Sequence, residues 1–172
     1  TSSFHIGAIN LNMSQFDAVR AVELIEEKKV SLLMEFSPML SSMLEQSEKT
    51  GKDMSSLRAV AGIDSPEIIE KYQQVTGGRY YCLYGQTETS CVVTYGAFNE
   101  RPGSAGRTIP MAEVRRVDGY DRPVPAGQSG EITVKGPMVF RAHGLQRILE
   151  SSRGYGLCLQ GRMAPYRGSG PF

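Results

Sequence analysis

LRAVAGIDSPEIIEKYQQVTGGRYYCLYGQTETS, Leu57–Ser90, holds the alternation that decides the fold. LRAVAGID (Leu57–Asp64) reads as a strand carrying a glycine near its end. SPEIIEKYQQVTG then reads as a helix, with Ser65 as N-cap, Pro66 at the first helical position and Glu67 in the first turn. RYYCLYGQ (Arg79–Gln86) is rich in the aromatic residues that strands favour. Upstream the pattern repeats. DAVRAVELIEEKK (Asp17–Lys29) places Ala18, Val19, Ala21, Val22, Leu24 and Ile25 on one stripe at helical spacing. Asp17 stands at its N-cap, and Lys28 and Lys29 lie near its C-terminal end. VSLLMEFS (Val30–Ser37) is a continuous apolar run expected to form a buried strand, broken by Pro38. MLSSMLEQSEK (Met39–Lys49) is helical again, its methionines and leucines read as core contacts. Helix, strand, helix, strand, helix, strand is the pattern of an α/β fold, a parallel sheet with crossover helices.

The texture changes after Phe98. NERPGSAGRTIP is a turn-rich connector. MAEVRRVD, DRPVPAGQSG and EITVKG then read as strand, loop and strand, part of a small antiparallel β-barrel or sheet. The expected division is an α/β part over residues 1–98, the start of a β subdomain over 99–140, and a tail over 141–172.

Apolar residues at 40% and charged residues at 22% suit a globular chain and argue against a disordered one. No apolar run approaches the roughly twenty residues of a membrane-spanning helix, and TSSFHIGAIN does not resemble a signal peptide; a cytoplasmic location is the default expectation. The net charge of +1 and the scattered lysines and arginines leave no electrostatic footprint for nucleic acid. Cys82, Cys91 and Cys158 are widely spaced without a CxxC, and only two histidines are present, which disfavours a zinc site or a disulfide framework. Cys82 and Cys91 read as small buried hydrophobes.

In open α/β sheets ligands bind at the carboxyl ends of the strands. AGIDSPE and YGQTETS both fall there, each offering a glycine that lets backbone approach a ligand and then polar side chains. The Thr87 hydroxyl could bond a phosphate oxygen, and the Glu88 carboxylate could hold magnesium directly or through water. The plainer reading is that both residues cap a following helix.

YGQTETS (Tyr84–Ser90) resembles the central motif of the adenylate-forming, AMP-binding superfamily, an aromatic-glycine-x-threonine-glutamate loop. Three more stretches follow the family in order. LRAVAGIDSPE resembles its glycine-rich adenine loop, FHIG (Phe4–Gly7) its aromatic-histidine motif, and RPGSAGRTIPMAEVRRVD with DRPVPAGQSGEITVKGPMVF its passage into the barrel subdomain. The resemblance is to acyl-CoA synthetases and long-chain fatty-acid-CoA ligases. It implies a two-step reaction. A carboxylate attacks the α-phosphate of ATP to give acyl-AMP and pyrophosphate; the thiol of coenzyme A then displaces AMP. By the same resemblance, Thr87 contacts the ATP phosphates and Glu88 holds Mg. Gly62, Ile63, Asp64 and Ser65 line the adenine, and Tyr84, Gly85 and Gln86 complete the nucleotide and acyl face. His5 sits beside the acyl pocket, where an ordinary half-buried histidine is the equal alternative, and SCVVTYG lines the far wall. The apolar character of that stretch fits a fatty or aromatic acid. An aryl- or amino-acid-activating adenylation domain is a further alternative.

The chain also departs from the family. The serine-, threonine- and glycine-rich phosphate loop, the aspartate that binds the AMP ribose and the domain with the catalytic lysine have no counterpart in this sequence, and the stretch between His5 and Asp17 is short. The tail RAHGLQRILESSRGYGLCLQGRMAPYRGSGPF does not follow the family either. Read one nucleotide on, its allowed codons permit the family's missing segments: Met163-Ala164 must give tryptophan, and Pro165–Phe172 permits His-His-Thr-Gly-Asp. The expectation is a frameshift near GPMVF, which leaves Cys158 and His143 without inherited roles; a coding sequence whose +1 reading lacks those segments refutes it. The expected product is an acyl-CoA ligase fragment inactive on its own. The alternative is a non-catalytic remnant that binds nucleotide weakly or self-associates through exposed sheet edges as a homo-oligomer.

Overall fold

The computed structural model describes residues 2–89 and 91–136. A short helix, α1 (Ser2–His5), leads into α2 (Ala18–Lys28), β1 (Leu32–Phe36), α3 (Met39–Thr50), β2 (Ala59–Ile63), α4 (Pro66–Thr76) and β3 (Arg79–Gln86). A 3₁₀ turn at Thr87–Thr89 follows, then β4 (Cys91–Ala97), a second 3₁₀ turn (Phe98–Glu100), β5 (Arg107–Thr108), β6 (Glu113–Val117) and β7 (Glu131–Lys135).

The α/β reading holds. β1, β2 and β3 are parallel and adjacent, with α3 and α4 as their crossovers. β4 turns back antiparallel onto β3, and β5 onto β4, so the sheet is mixed, in the order β1-β2-β3-β4-β5. β6 and β7 form a separate antiparallel pair. Among the described residues that pair is an open two-stranded sheet and not a closed barrel.

Local chemistry explains the element ends. Asp17 caps α2, its carboxylate accepting the Arg20 N–H at 2.7 Å. Lys29, Gly51 and Gly77 end α2, α3 and α4 in the left-handed conformation, each donating its N–H back to a carbonyl of the last turn. Pro66 opens α4 at a position where a missing N–H costs nothing. Ser65 is the N-cap as expected, but its side chain makes no capping bond to the backbone. Instead the Glu67 carboxylate is held below its usual range by its own backbone N–H and by the Ser65 side chain.

All three long helices lie against one face of the sheet. Val22 and Ile25 of α2, Leu40, Met43 and Leu44 of α3, Ile69 and Tyr72 of α4, and Val60 and Tyr80 of the sheet form one buried cluster with Met54, Leu57 and Phe98. The expectation of a buried β1 therefore needs correction. Side chains alternate across a strand, and the helices cover one side only. Leu32, Met34 and Phe36 point to the other side and are 54%, 67% and 64% exposed. An apolar run such as VSLLMEFS matches a strand covered on both faces; the described residues supply one cover.

Two predictions test this core. Leu44→Ala, at a fully buried site of α3, is expected to cost about 2–5 kcal/mol in chemical denaturation. Tyr72→Phe removes the hydroxyl that donates to Leu57 O at 2.8 Å. It is expected to cost about 1–3 kcal/mol, because the buried carbonyl loses its partner.

Candidate functional site

The carboxyl ends of β2 and β3 bring the two polar loops side by side. Their parallel register runs from Ala59 opposite Arg79 to Gly62 opposite Cys82, after which β2 ends at Ile63 while β3 continues to Gln86. The loop Gly62–Ser65 thus leaves the sheet beside the last residues of β3. The Ser37 N–H donates to Ile63 O at 3.1 Å, which ties the end of β1 to the same place.

Each candidate residue can be placed. Gly62 is required by a close approach: a Cβ there would run into Glu35 O and lie 2.6 Å from Glu35 Oε1. Ile63 is half exposed. Asp64 takes the Ser65 N–H on Oδ1 at 2.7 Å, while its Oδ2 is buried without a partner. Ser65 stands at the start of α4. Tyr84 and Gly85 flank a register shift between β3 and β4, a bulge of the kind that re-aims side chains near functional sites. Burial pushes the Tyr84 phenol above its ordinary pKa. Thr87 is exposed and begins the 3₁₀ turn. No α-helix follows that turn, so the helix-capping alternative for Thr87 and Glu88 does not apply; the chain enters β4 instead. His5 lies exposed at the end of α1, a turn held by local bonds such as Ala8 N–H to Ser3 O at 2.9 Å. The geometry joins the two loops at the ends of β2 and β3. The side chains of Glu88 and Cys91, Ser90, and the tail 137–172 lie outside the described residues.

Three residues that the sequence reading passed over shape the site. The Thr89 hydroxyl accepts the Gln86 N–H at 3.2 Å and donates to Gln86 O at 2.9 Å, closing the turn that presents Thr87. A hydroxyl three residues beyond the turn's start was the available signal. Glu35, only 1% exposed, accepts the Tyr80 hydroxyl at 2.5 Å beneath the Gly62 backbone. Its signal was a lone carboxylate in the middle of an apolar strand. Burial raises the Glu35 pKa first, and the charge of Asp64 raises it further, against the pull of Tyr80 and the Leu40 N–H. Tyr80 is raised as well, by burial and then by Glu35.

Cys82 is half-buried against the core and burial pushes its thiol up, away from nucleophilic use. Among the described residues no cluster of three or more His, Cys, Asp or Glu could cage a metal. Magnesium carried on a polyphosphate needs no such cage, because it keeps several waters and is bound through one or two carboxylates and substrate phosphates. A groove lined by Gln73, Arg79, Asn99 and Glu100 lies at the amino end of β3, opposite the loops. No helix among the described residues is long and apolar enough to cross a membrane.

Comparison with known proteins identifies the family. The model of the AMP-binding enzyme family matches residues 2–142. The chain is 31% identical over 134 residues to the medium/long-chain-fatty-acid–CoA ligase FadD8 of Mycobacterium tuberculosis, covering 74% of this chain and 24% of that protein. It is 29% identical over 160 residues to the indoleacetate–CoA ligase of Aromatoleum aromaticum, covering 81% of this chain and 31% of that protein. Among solved structures, it shares 40% identity and a TM-score of 0.65 with a Rhodopseudomonas palustris protein assigned as a long-chain-fatty-acid CoA ligase, over 73% of this chain and 32% of the other. The anthranilate CoA ligase AuaEII, solved with anthranoyl-AMP, shares the fold at a TM-score of 0.70 and 21% identity, over 78% of this chain and 27% of that one. The chain thus spans about a quarter to a third of the length of these relatives. With both loops of the β2 and β3 ends inside the matched region, the chain belongs to the AMP-binding enzyme family.

Proposed function

We propose that this chain carries the nucleotide-handling loops of an ATP-dependent acyl- or aryl-CoA ligase. The observation that carries the reading is the adjacency of Gly62–Ser65 and Tyr84–Thr87 at the ends of two parallel neighbouring strands. A nucleotide laid across those ends meets polar groups at Asp64 and Ser65 and the exposed hydroxyl of Thr87.

On this reading, Gly62, Ile63, Asp64 and Ser65 line the adenine. Tyr84, Gly85 and Gln86 border the nucleotide and the acid, and Thr87 orients the phosphates by hydrogen bonding. Glu88 holds magnesium, which when bound neutralises phosphate charge. The contribution of these residues is positioning and charge complementarity, which is where phosphate chemistry draws most of its catalysis. Coenzyme A is the second substrate by family. The relatives named above act on fatty acids and on indoleacetate, so a fatty or aromatic carboxylic acid is the substrate class to test first. His5 is proposed at the acid's side of the site. We propose further that these residues alone bind nucleotide without completing the first step.

Titration of the chain with ATP and magnesium, followed calorimetrically, is expected to show saturable binding that Thr87→Ala and Glu88→Gln each weaken by roughly tenfold, the scale of one charge-assisted hydrogen bond. Pyrophosphate release with a panel of fatty and aromatic acids then separates the two roles. Silence with binding intact supports a nucleotide-binding fragment, whereas release shows that the chain completes the adenylation step. A competing, non-enzymatic reading is self-association through the free edge of β1 and its exposed Leu32, Met34 and Phe36. Gel filtration at rising concentration tests it, and a clean monomer throughout rules it out.

A further inference from the structure

Glu35 Oε2 and Asp64 Oδ2 are, among the described residues, the two buried side-chain oxygens that lack a hydrogen-bond partner. They belong to one neighbourhood. Glu35 lies opposite Gly62 in the β1–β2 register, Asp64 follows two residues later, and the charge of Asp64 acts on Glu35. The other oxygen of each carboxyl is already engaged: Glu35 Oε1 accepts from Tyr80, and Asp64 Oδ1 accepts the Ser65 N–H. A buried carboxylate oxygen without a hydrogen bond of its own is costly even with the Leu40 N–H beside the carboxyl, and the negative charge of Asp64 nearby adds to that cost. One proton removes both penalties. Placed on Glu35 Oε2, it turns one orphaned oxygen into a donor and leaves the other as its acceptor.

We propose that Glu35 and Asp64 share one proton as a buried acid–carboxylate pair that holds the Gly62–Ser65 loop at the end of β2. The role of that loop at the adenylate rests on the function proposed above; the pair itself does not. Glu35 is here a positioning residue, acting on the nucleotide through the loop. The groups facing it are Tyr80 and Cys82 on β3, Asp64 on the loop, and the Leu40 N–H of α3. Gly62 completes the device, since a side chain at that position would occupy the place of the Glu35 carboxyl.

The sign of the pH dependence follows from burial. With its folded pKa raised, Glu35 binds its proton more tightly in the native state than in the unfolded one. Its contribution to stability is therefore full below the unfolded pKa and is lost as pH rises through the folded one.

Infrared difference spectra of the full chain in D₂O, wild type minus Glu35→Gln, read the proton directly. The expected result is a protonated-carboxyl C=O band at neutral pH that Glu35→Gln removes. In Asp64→Asn the band titrates at lower pH, because the neighbouring charge is gone. Glu35→Gln, which keeps a donor toward Asp64, is expected to flatten the alkaline loss of thermal stability. Glu35→Ala is expected to speed exchange of the Ser65 amide by roughly tenfold, the scale of one hydrogen bond to a charged group. A missing band at neutral pH, or a band that Asp64→Asn leaves unmoved, overturns the pair. Should the variants fold poorly, the wild-type band alone decides, by titrating as one coupled group or by being absent. AMP titration on the same samples separates the two claims. The band without AMP binding keeps the pair and removes the nucleotide reading; AMP binding without the band does the reverse.

Discussion

Parallel pairing of β2 with β3 is the constraint on which the rest of this chain depends, because it fixes which chain ends can meet. Parallel strands need a crossover, and α4 supplies it by burying Ile69 and Tyr72 against the sheet. With that register set, the exits of both strands point the same way. The two glycine-bearing loops, separated in sequence by a whole helix, become neighbours. β4 then returns antiparallel along the overhanging part of β3 and stiffens it up to Gln86. Without that backing, the Thr87 turn would hang from an unpaired strand end.

The same register places a carboxylate where hydrophobic logic alone would not. Glu35, Gly62 and Cys82 lie in one row across the sheet on the helix-covered face, and Tyr80 reaches the row from the next buried position. An apolar residue at 35 would pack there at lower cost, since a buried carboxyl must find a donor or take up a proton. Its presence directly beneath the Gly62–Ser65 loop couples, on the pairing proposed above, the loop's position to a protonation state. Structural burial and site geometry meet at that residue.

Much of this was legible in the sequence. Helical stripes at Ala18–Ile25 and Met39–Leu44, the Pro66 start and the aromatic strand Arg79–Gln86 each carry their own physics, and each element formed where its pattern lay. The two loops were legible for the same reason, as glycines followed by polar residues at strand exits. What escaped reading was long-range. Whether Leu32, Met34 and Phe36 find a cover depends on layers that no local pattern encodes, and the antiparallel pairing of β4 carries a register shift at Tyr84 and Gly85 that no local pattern announces. The pairing of Glu35 with Tyr80 spans 45 positions, and the lone carboxylate in VSLLMEFS was its one trace.

Backbone amide shifts of the isotopically labelled chain during titration with AMP test the central claim most directly. Two loops acting as one site predict that Ile63, Asp64, Ser65, Gly85, Gln86 and Thr87 shift together with a single saturation midpoint, while β6 and β7 stay still. Shifts confined to one loop, or centred on the β6–β7 pair, would contradict it.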